Sequence, residues 1–175
     1  TMTVSVTGGS GLISYQWQSS VDGTNGWADA TNLGAATATY TPSSAVAGTT
    51  YYRVLINAGN SGCDQAVSNN GIAFIAPDLS ITAQPTDINE CIGGTNTMTI
   101  LLTGGSGTLS YQCQSSTDGI AGWTNAIGVG STASIFTPSS VVAGTTYYRV
   151  LVNEANSAGD QELSSNGGAV INNDW

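Results

Sequence analysis

Apolar and polar residues alternate along much of this chain with a period of two, which is the pattern of a half-buried β-strand. From Met2 to Thr7 every second residue is apolar, and in the stretch 14–18 the two aromatic residues Tyr15 and Trp17 share one face. No stretch of ten or more residues shows the 3.6-residue period of an amphipathic helix. The pattern therefore predicts an all-β protein.

The longest alternating block occurs twice. TPSSAVAGTTYYRVLIN begins at Thr41 and TPSSVVAGTTYYRVLVN begins at Thr137, and fifteen of the seventeen positions are identical. The spacing of 96 residues also relates the Gly-Gly-Ser-Gly turns, the Asp-Gly dipeptides and the Trp residues that flank the block. One module is therefore used twice, and 96 residues are enough for a small domain with its own core.

The repeat sets the expected domain boundaries. We expect one module over residues 1–76, a second over residues 77–174, and the start of a further repeat at residue 175. At this spacing Thr1 corresponds to Thr97, so the first module has no counterpart of the sixteen residues that precede Thr97. We expect that segment to run along the sandwich edge of the second module.

The strand pattern within one module predicts its fold. About seven short strands in 96 residues, with Trp17 on the third, indicate an immunoglobulin-like β-sandwich. Gly-Thr-Thr-Tyr-Tyr-Arg-Val resembles the tyrosine corner of that fold, in which a Tyr hydroxyl bonds back to the preceding turn. The prediction is two tandem modules whose core includes the residues that face inward: Trp17, Tyr52, Val54, Tyr148 and Val150.

The same period places Tyr51 and Arg53, and their repeats Tyr147 and Arg149, outward. Together with Trp27 and Trp123 they form a candidate contact surface between neighbouring molecules, although a plain exposed strand face explains them as well. The two Trp residues and the two Tyr residues also have the chemistry of a sugar-stacking platform. For the Trp residues the favoured interpretation is that they cover the sandwich edge beside the Asp-Gly turns.

Charge excludes several functions. The chain has two basic residues, eleven acidic residues, no Lys and no His, for a net charge of −9. Nucleic-acid binding is excluded because neutralising phosphates takes clusters of Lys and Arg.

No apolar run approaches the ~18 residues of a membrane span, so no membrane insertion is expected. Without His or Lys the usual nucleophile–base pairs are missing, and the predicted protein is not an enzyme.

Calcium is the one cofactor that the acidic residues suggest. Asp64 and its repeat Asp160 are candidate ligands, in combination with Asn57, Asn60 or Glu154, because Ca²⁺ takes oxygen ligands. The chain lacks the dense D-x-D-x-D spacing of a calcium loop, so a solvated loop is the favoured interpretation of these residues. We expect no cofactor.

Two combined motifs carry a family resemblance. SYQWQSS-x-DG-x-x-x-GW followed by TYTPSS-x-x-AGTTYYRV is similar to the immunoglobulin-like repeats of giant bacterial surface proteins, including the SprB-like gliding adhesins exported by the type IX route. The resemblance covers essentially both modules. It implies an extracellular, cell-surface filament or adhesin built of many such modules. We expect the protein to associate with itself into filaments or arrays, and surface polysaccharide is a further candidate partner.

The resemblance also bears on the cysteines. Cys63 and Cys91 lie where such repeats place half-cystines, but Gly159 stands at the position that repeats Cys63. We therefore expect no disulfide among Cys63, Cys91 and Cys113, and Cys113 is expected to be a buried thiol.

The sequence leaves two functions open. The first is a non-catalytic structural and adhesive region of a secreted filament. The second is a set of spacer or carbohydrate-binding modules within an extracellular polysaccharide-degrading enzyme.

Overall fold

The protein consists of β-strands. The computed structural model describes residues 1–59, 65–155 and 161–173, and within those ranges it has strands, turns and loops and no helix. The described residues accordingly contain no helix of the length and apolarity needed to cross a membrane. The chain forms two compact units, Thr1–Pro77 and Asp78–Trp175, called unit 1 and unit 2 below.

Unit 1 is built from two packed layers. Its larger sheet has the order β3-β2-β5, with both β6 and β7 paired to β5, and its smaller sheet pairs β1 with β4. The strands are β1 (Met2–Thr3), β2 (Ile13–Ser20), β3 (Ala28–Asp29), β4 (Thr39–Tyr40), β5 (Gly48–Ala58), β6 (Ala66–Val67) and β7 (Gly71–Ile75).

Unit 2 repeats this arrangement and adds two strands at its beginning. Its larger sheet has the order β13-β12-β15-β17-β9, with β16 also on β15, and the other layer pairs β10 with β14 and β11 with β8. The strands are β8 (Ser80–Ala83), β9 (Ile88–Cys91), β10 (Met98–Thr99), β11 (Leu101–Thr103), β12 (Leu109–Ser116), β13 (Thr124–Asn125), β14 (Ile135–Phe136), β15 (Gly144–Glu154), β16 (Gln161–Leu163) and β17 (Gly167–Asn172).

The central pair of strands explains why these sequences form a sandwich. β2 and β5 run antiparallel with Trp17 opposite Val54, so the alternating apolar residues of both strands face the same side. The core of unit 1 is the buried set Trp17, Ala30, Tyr40, Tyr52 and Val54. Tyr148 and Val150 are buried at the equivalent places in unit 2. The all-β, immunoglobulin-like prediction is confirmed.

The two cores differ at their centre. In unit 1 the ring of Trp17 stacks on Tyr40 with centroids 5.4 Å apart, and its Nε1 donates a hydrogen bond to the Thr37 carbonyl at 2.8 Å. Unit 2 places Cys113 there, beside Phe136. Burial raises the pKa of the Cys113 thiol to about 11, so the thiol is neutral at ordinary pH and contributes as a small apolar group.

The last strand of each unit is interrupted, which the sequence did not predict. Between β6 and β7 the hydroxyl of Ser68 accepts a hydrogen bond from the Val54 amide at 3.0 Å. The Ser68 amide in turn donates to the Val54 carbonyl at 3.0 Å. Ser164 does the same for Val150 in unit 2, at 2.8 Å. A side-chain oxygen thus replaces a backbone acceptor, and the short strands β6 and β16 on the far side were not anticipated.

The tyrosine of the repeated block is placed as expected in unit 2. Burial raises the pKa of Tyr148, and a hydrogen bond with the backbone of Ser139 acts in the opposite direction. Ser139 belongs to the loop that precedes β15, so the hydroxyl ties the strand to its own incoming turn.

Candidate functional site

An arginine lies on a tryptophan on the outward side of each larger sheet. The Cζ atom of Arg53 is 4.2 Å from the centroid of the Trp27 ring, and in unit 2 Arg149 lies at the same distance from Trp123. A guanidinium over an indole at an exposed site contributes ~0.5–1 kcal/mol. The two units therefore carry one cation–π pair each, with the same geometry.

Glutamine fixes each arginine from the neighbouring strand. Gln18 faces Arg53 in the β2–β5 register, and its Oε1 accepts a hydrogen bond from Arg53 Nε at 3.0 Å. The amide end of Gln18 donates to Asp29 Oδ1 at 2.9 Å. Gln114 accepts from Arg149 Nε at 2.9 Å in unit 2. The arginine position is therefore set by hydrogen bonds as well as by the ring.

The Asp-Gly turn holds the tryptophan. Asp22 Oδ1 accepts hydrogen bonds from the amides of Asn25 and Thr24, each at 2.8 Å. These bonds, with Asn25 contributing most, lower the pKa of Asp22 to about 2, because they favour the charged carboxylate. Trp27 Nε1 donates to the Thr24 carbonyl at 3.3 Å, so the indole is joined to the turn.

The outward tyrosine packs on the same turn. A Cβ atom placed on Gly23 would lie 2.8 Å from a ring carbon of Tyr51, which shows how closely the ring covers the turn. Asn70 Nδ2 closes the far side by donating to the Gly23 carbonyl at 2.8 Å. Tyr147 covers Gly119 in the same way in unit 2. Tyr51 and Tyr147 are therefore half-buried supports of the turn.

The structure brings the sequence-predicted contact residues together in each unit. Tyr51, Arg53 and Trp27 lie on one side of the larger sheet of unit 1, and their counterparts do so in unit 2. Both alternatives for the tryptophans are visible in this geometry, because each indole lies beside its Asp-Gly turn and remains partly exposed.

Sequence reasoning missed the apolar part of this face. Ile72 is opposite Tyr51 and Phe74 is opposite Thr49 in the β5–β7 register, and these two side chains are 62% and 66% exposed. In the stretch 71–75 Ile72 and Phe74 alternate with Gly71 and Ala73, a pattern that indicates a strand but does not show that its large side chains face outward. We name Trp27, Arg53, Tyr51, Ile72 and Phe74 the outward face of unit 1.

The outward face of unit 2 is less apolar at the same two positions. Gly168 and Val170 replace Ile72 and Phe74 there, opposite Tyr147 and Thr145. The cation–π pair is therefore common to both units, whereas the exposed apolar pair belongs to unit 1.

The calcium candidates Asp64 and Asp160 lie outside the described residues. Among the residues that the structure does describe, no group of three or more His, Cys, Asp or Glu is placed to hold a metal ion. Glu154, a further candidate, is buried, and its carboxylate accepts hydrogen bonds from the backbone amides of Ser106 and Gly107. That carboxylate supports the turn that precedes β12.

Cys91 is an exposed free thiol and Cys113 is a buried free thiol. Cys63 lies outside the described residues, so the expectation for its pairing stays a prediction.

The layers, the central strand pair and the tyrosine tie define an immunoglobulin-like β-sandwich module, here present twice in tandem. The chain belongs to the family described as a domain of unknown function, DUF8696, which matches residues 1–77 and 82–170. No curated protein sequence matches the chain.

Solved structures similar to the chain contain fibronectin type III or immunoglobulin domains. The chicken CNTN1 FN1–FN3 domains have a TM-score of 0.44 and 10% identity, over 90% of this chain and 56% of that structure. The Sidekick-1 immunoglobulin domains 1–5 have a TM-score of 0.36 and 12% identity, over 91% of this chain and 34% of that structure. The chain spans about half of the first structure and about a third of the second.

Proposed function

We propose that this chain is a non-catalytic structural and adhesive repeat region of a secreted bacterial cell-surface filament or adhesin, of the SprB-like kind. The observation that carries the proposal is the repeated outward arrangement. Two modules of one family present the same arginine–tryptophan pair, fixed by the same glutamine bond, and neither pair is needed to fill the core. A side-chain arrangement that is rebuilt on the outside of each module is suited to repeated contacts along a polymer.

Self-association is the proposed contact. Ile72 and Phe74 add exposed apolar area beside the Tyr51 ring, and clustered aromatic, apolar and arginine side chains are the composition favoured at the centre of protein interfaces. The net charge of −9 opposes association at low salt. Contacts between copies are therefore expected to strengthen as salt screens that charge.

A polysaccharide is a less favoured partner than a second copy of the protein. A sugar-stacking platform needs an open aromatic face, and one face of each indole is taken by an arginine at 4.2 Å. A saccharide at Trp27 would have to displace Arg53 from both the ring and Gln18.

Location is tested on cells that produce the full-length protein. Antibodies raised against unit 2 are applied to intact cells and detected by immunogold electron microscopy, with lysed cells as the control for total signal. Filamentous labelling outside intact cells is expected. Label that appears only after lysis overturns the proposal, and label confined to a soluble enzyme with a catalytic domain supports the polysaccharide-degrading alternative.

Self-association is tested separately with the chain itself. Sedimentation at increasing salt is compared for the wild type, for an Ile72→Ser/Phe74→Ser double variant, and for Leu33→Ser as the matched control. Leu33 is 87% exposed and lies outside the outward face, so its variant removes apolar area at an unrelated place. The double variant alone is expected to associate less. Equal loss in the Leu33→Ser variant would show that association is non-specific.

A further inference from the structure

One edge of the sandwich in unit 2 is covered by its first two strands. β8 pairs antiparallel with β11 on one layer, and β9 pairs in parallel with β17 on the other. Leu79 and Ile88, at the starts of these strands, are part of the buried core. The segment therefore closes the space between the two layers.

The turn between β8 and β9 is fitted to the strand beneath it. Gln84 Oε1 accepts a hydrogen bond from the Ser165 amide at 2.8 Å, and Asp87 Oδ1 accepts one from the Gly168 amide at 2.7 Å. A Cβ atom on Gly167 would lie 3.1 Å from Cβ of Pro85. The segment thus seals the edge through backbone donors as well as through apolar contacts.

Unit 1 has an open groove at the same edge. Its volume is about 320 Å³, and its lining includes the buried core residues Trp17 and Val54. The other lining residues that matter here are Met2, Val4, Ser68 and Gly71, which are half-buried. All six positions correspond, 96 residues later, to residues that are buried in unit 2, where the segment covers the edge.

Equivalent side chains are more buried in the unit that contains the covering segment. Met98, Ile100 and Ala169 of unit 2 are 3%, 2% and 1% exposed, whereas the equivalent residues Met2, Val4 and Ala73 of unit 1 are only half-buried. The residue types at these positions are the same or nearly the same, so the difference comes from the missing cover.

The length of a strand also differs between the unit with the covering segment and the unit without it. Leu101–Thr103 forms β11 against β8, while the equivalent residues 5–7 of unit 1 belong to no strand. The sequence predicted one strand from Met2 to Thr7, and the structure ends it at Thr3. The prediction was too long because the partner strand that would extend it is not present in unit 1.

We propose that the open groove of unit 1 binds an extended segment with the sequence pattern of residues 78–94. Its apolar side chains would enter the groove as Leu79 and Ile88 do in unit 2. Its polar turn would accept hydrogen bonds from the Asn69 and Ile72 amides. In unit 2 Gln84 and Asp87 accept the corresponding bonds from the Ser165 and Gly168 amides. The edge of β7 would gain a strand, which is a common mode of peptide recognition.

The segment of a second, identical chain does not meet this need. In unit 2 that segment is already buried in its own core through Leu79 and Ile88, so it would have to leave unit 2 before it could fill unit 1 of another molecule. The occupant is therefore a segment of this pattern that is not engaged in another module.

The test uses a synthetic peptide of residues 78–94, with Cys91→Ser to prevent oxidation, titrated into the full chain. One peptide is expected to bind per chain, with a change in Trp17 fluorescence and a rise in the melting temperature of unit 1. Peptides with Leu79→Asp or Ile88→Asp should bind at least ~10-fold more weakly, because each would bury a carboxylate.

A protein variant supplies the second arm. Gly71→Leu places a side chain where Pro85 lies above Gly167 in unit 2, and it should abolish binding. The backbone at Gly71 allows a side chain, since its φ is not positive and the nearest atom to an added Cβ is the flexible Met2 Sδ at 3.3 Å. Leu33→Ser, at an exposed position outside both the groove and the outward face, is the matched control and should bind the peptide as the wild type does.

Two results would overturn the proposal: absence of binding, and binding that the two Asp peptides reproduce. The peptide experiments are independent of location at the cell surface, so peptide binding by a protein that immunogold labelling finds inside cells supports this inference and overturns only the proposed function.

Discussion

A glycine at position 23 is required for two separate reasons. Its φ of 71° lies in the left-handed region, and the ring of Tyr51 leaves no room for a Cβ atom. Gly26, in the same loop, has a φ of 61° but nothing within 4 Å of an added Cβ. The pair therefore separates backbone strain from close packing.

We expect Gly23→Ala to destabilise unit 1 more than Gly26→Ala. The left-handed conformation costs an L-residue ~1–2 kcal/mol in both variants, and the contact with Tyr51 adds ~1–3 kcal/mol at position 23 alone. Urea unfolding of the full chain measures both. If the two variants had equal free energies of unfolding, the Tyr51 ring would not be seated on the turn.

At the scale of the element, each closing strand depends on one hydroxyl group. Ser164 is buried and supplies the acceptor for the Val150 amide, at the break between β16 and β17. The interruption keeps β16 and β17 on the same partner strand.

Replacing Ser164 with Ala should destabilise unit 2 by ~1–3 kcal/mol, since it leaves a buried amide without an acceptor. Ser165→Ala is the matched control, because that side chain is exposed, and its effect should stay within ~0.5 kcal/mol. Chemical denaturation gives both values. A cost in the Ser164 variant no larger than in the control would contradict the role given to the hydroxyl.

The Asp-Gly turns should make stability depend on acid. The pKa of Asp22 is lowered from 3.8 to about 2 by the amides of Asn25 and Thr24, and the pKa of Asp118 is lowered by those of Ala121 and Ile120. When folding lowers the pKa of a carboxyl group, its charged form stabilises the folded state at every pH above the pKa that the group has in the unfolded chain. This stabilisation is lost as the pH falls through the pKa of the folded state. The loss therefore falls between pH 3.8 and about pH 2.

Melting temperatures of the wild type and of an Asp22→Asn/Asp118→Asn variant, measured across that window, test this directly. The difference between the two proteins should be largest above the window and should shrink as the pH falls through it. The two proteins are identical at every other residue, so all other effects of pH cancel in the difference. A difference that does not change with pH would mean that the two turn carboxylates do not titrate with folding.

At the scale of the whole molecule, the two units differ in whether a segment covers the edge between their two layers. Unit 2 contains its covering segment, and Leu79 and Ile88 of that segment are buried in its core. Unit 1 has only its own strands around Trp17 and Val54, with the open groove beside them.

Unit 2 expressed alone, as residues 78–175, should therefore fold cooperatively, whereas unit 1 alone should gain stability when residues 78–96 are joined ahead of Thr1. Thermal unfolding followed by circular dichroism compares the isolated units with and without the added segment. As a control, the added segment carries Leu79→Asp and Ile88→Asp and should give no gain. Failure of unit 2 to fold alone would show that its core is incomplete.

The sequence by itself determined the fold class, the repeat and the division of the central strands into inner and outer faces. Those features depend on local pattern, because a period of two assigns each side chain to a face before any partner strand is known. Trp17 and Val54 were placed inside, and Tyr51 and Arg53 outside, for that reason. The family resemblance added an expectation about setting, and that expectation remains a proposal.

Tertiary structure decided what depends on partners distant in sequence. The cation–π pair needs Trp27 and Arg53 to meet across three strands, and the hydroxyl of Ser68 finds its amide fourteen residues away. The length of the first strand could not be predicted, because residues 5–7 form a strand only where another segment pairs with them. The open groove likewise exists only in three dimensions, since alternation states which side chains face inward but not whether anything covers the edge between the two layers.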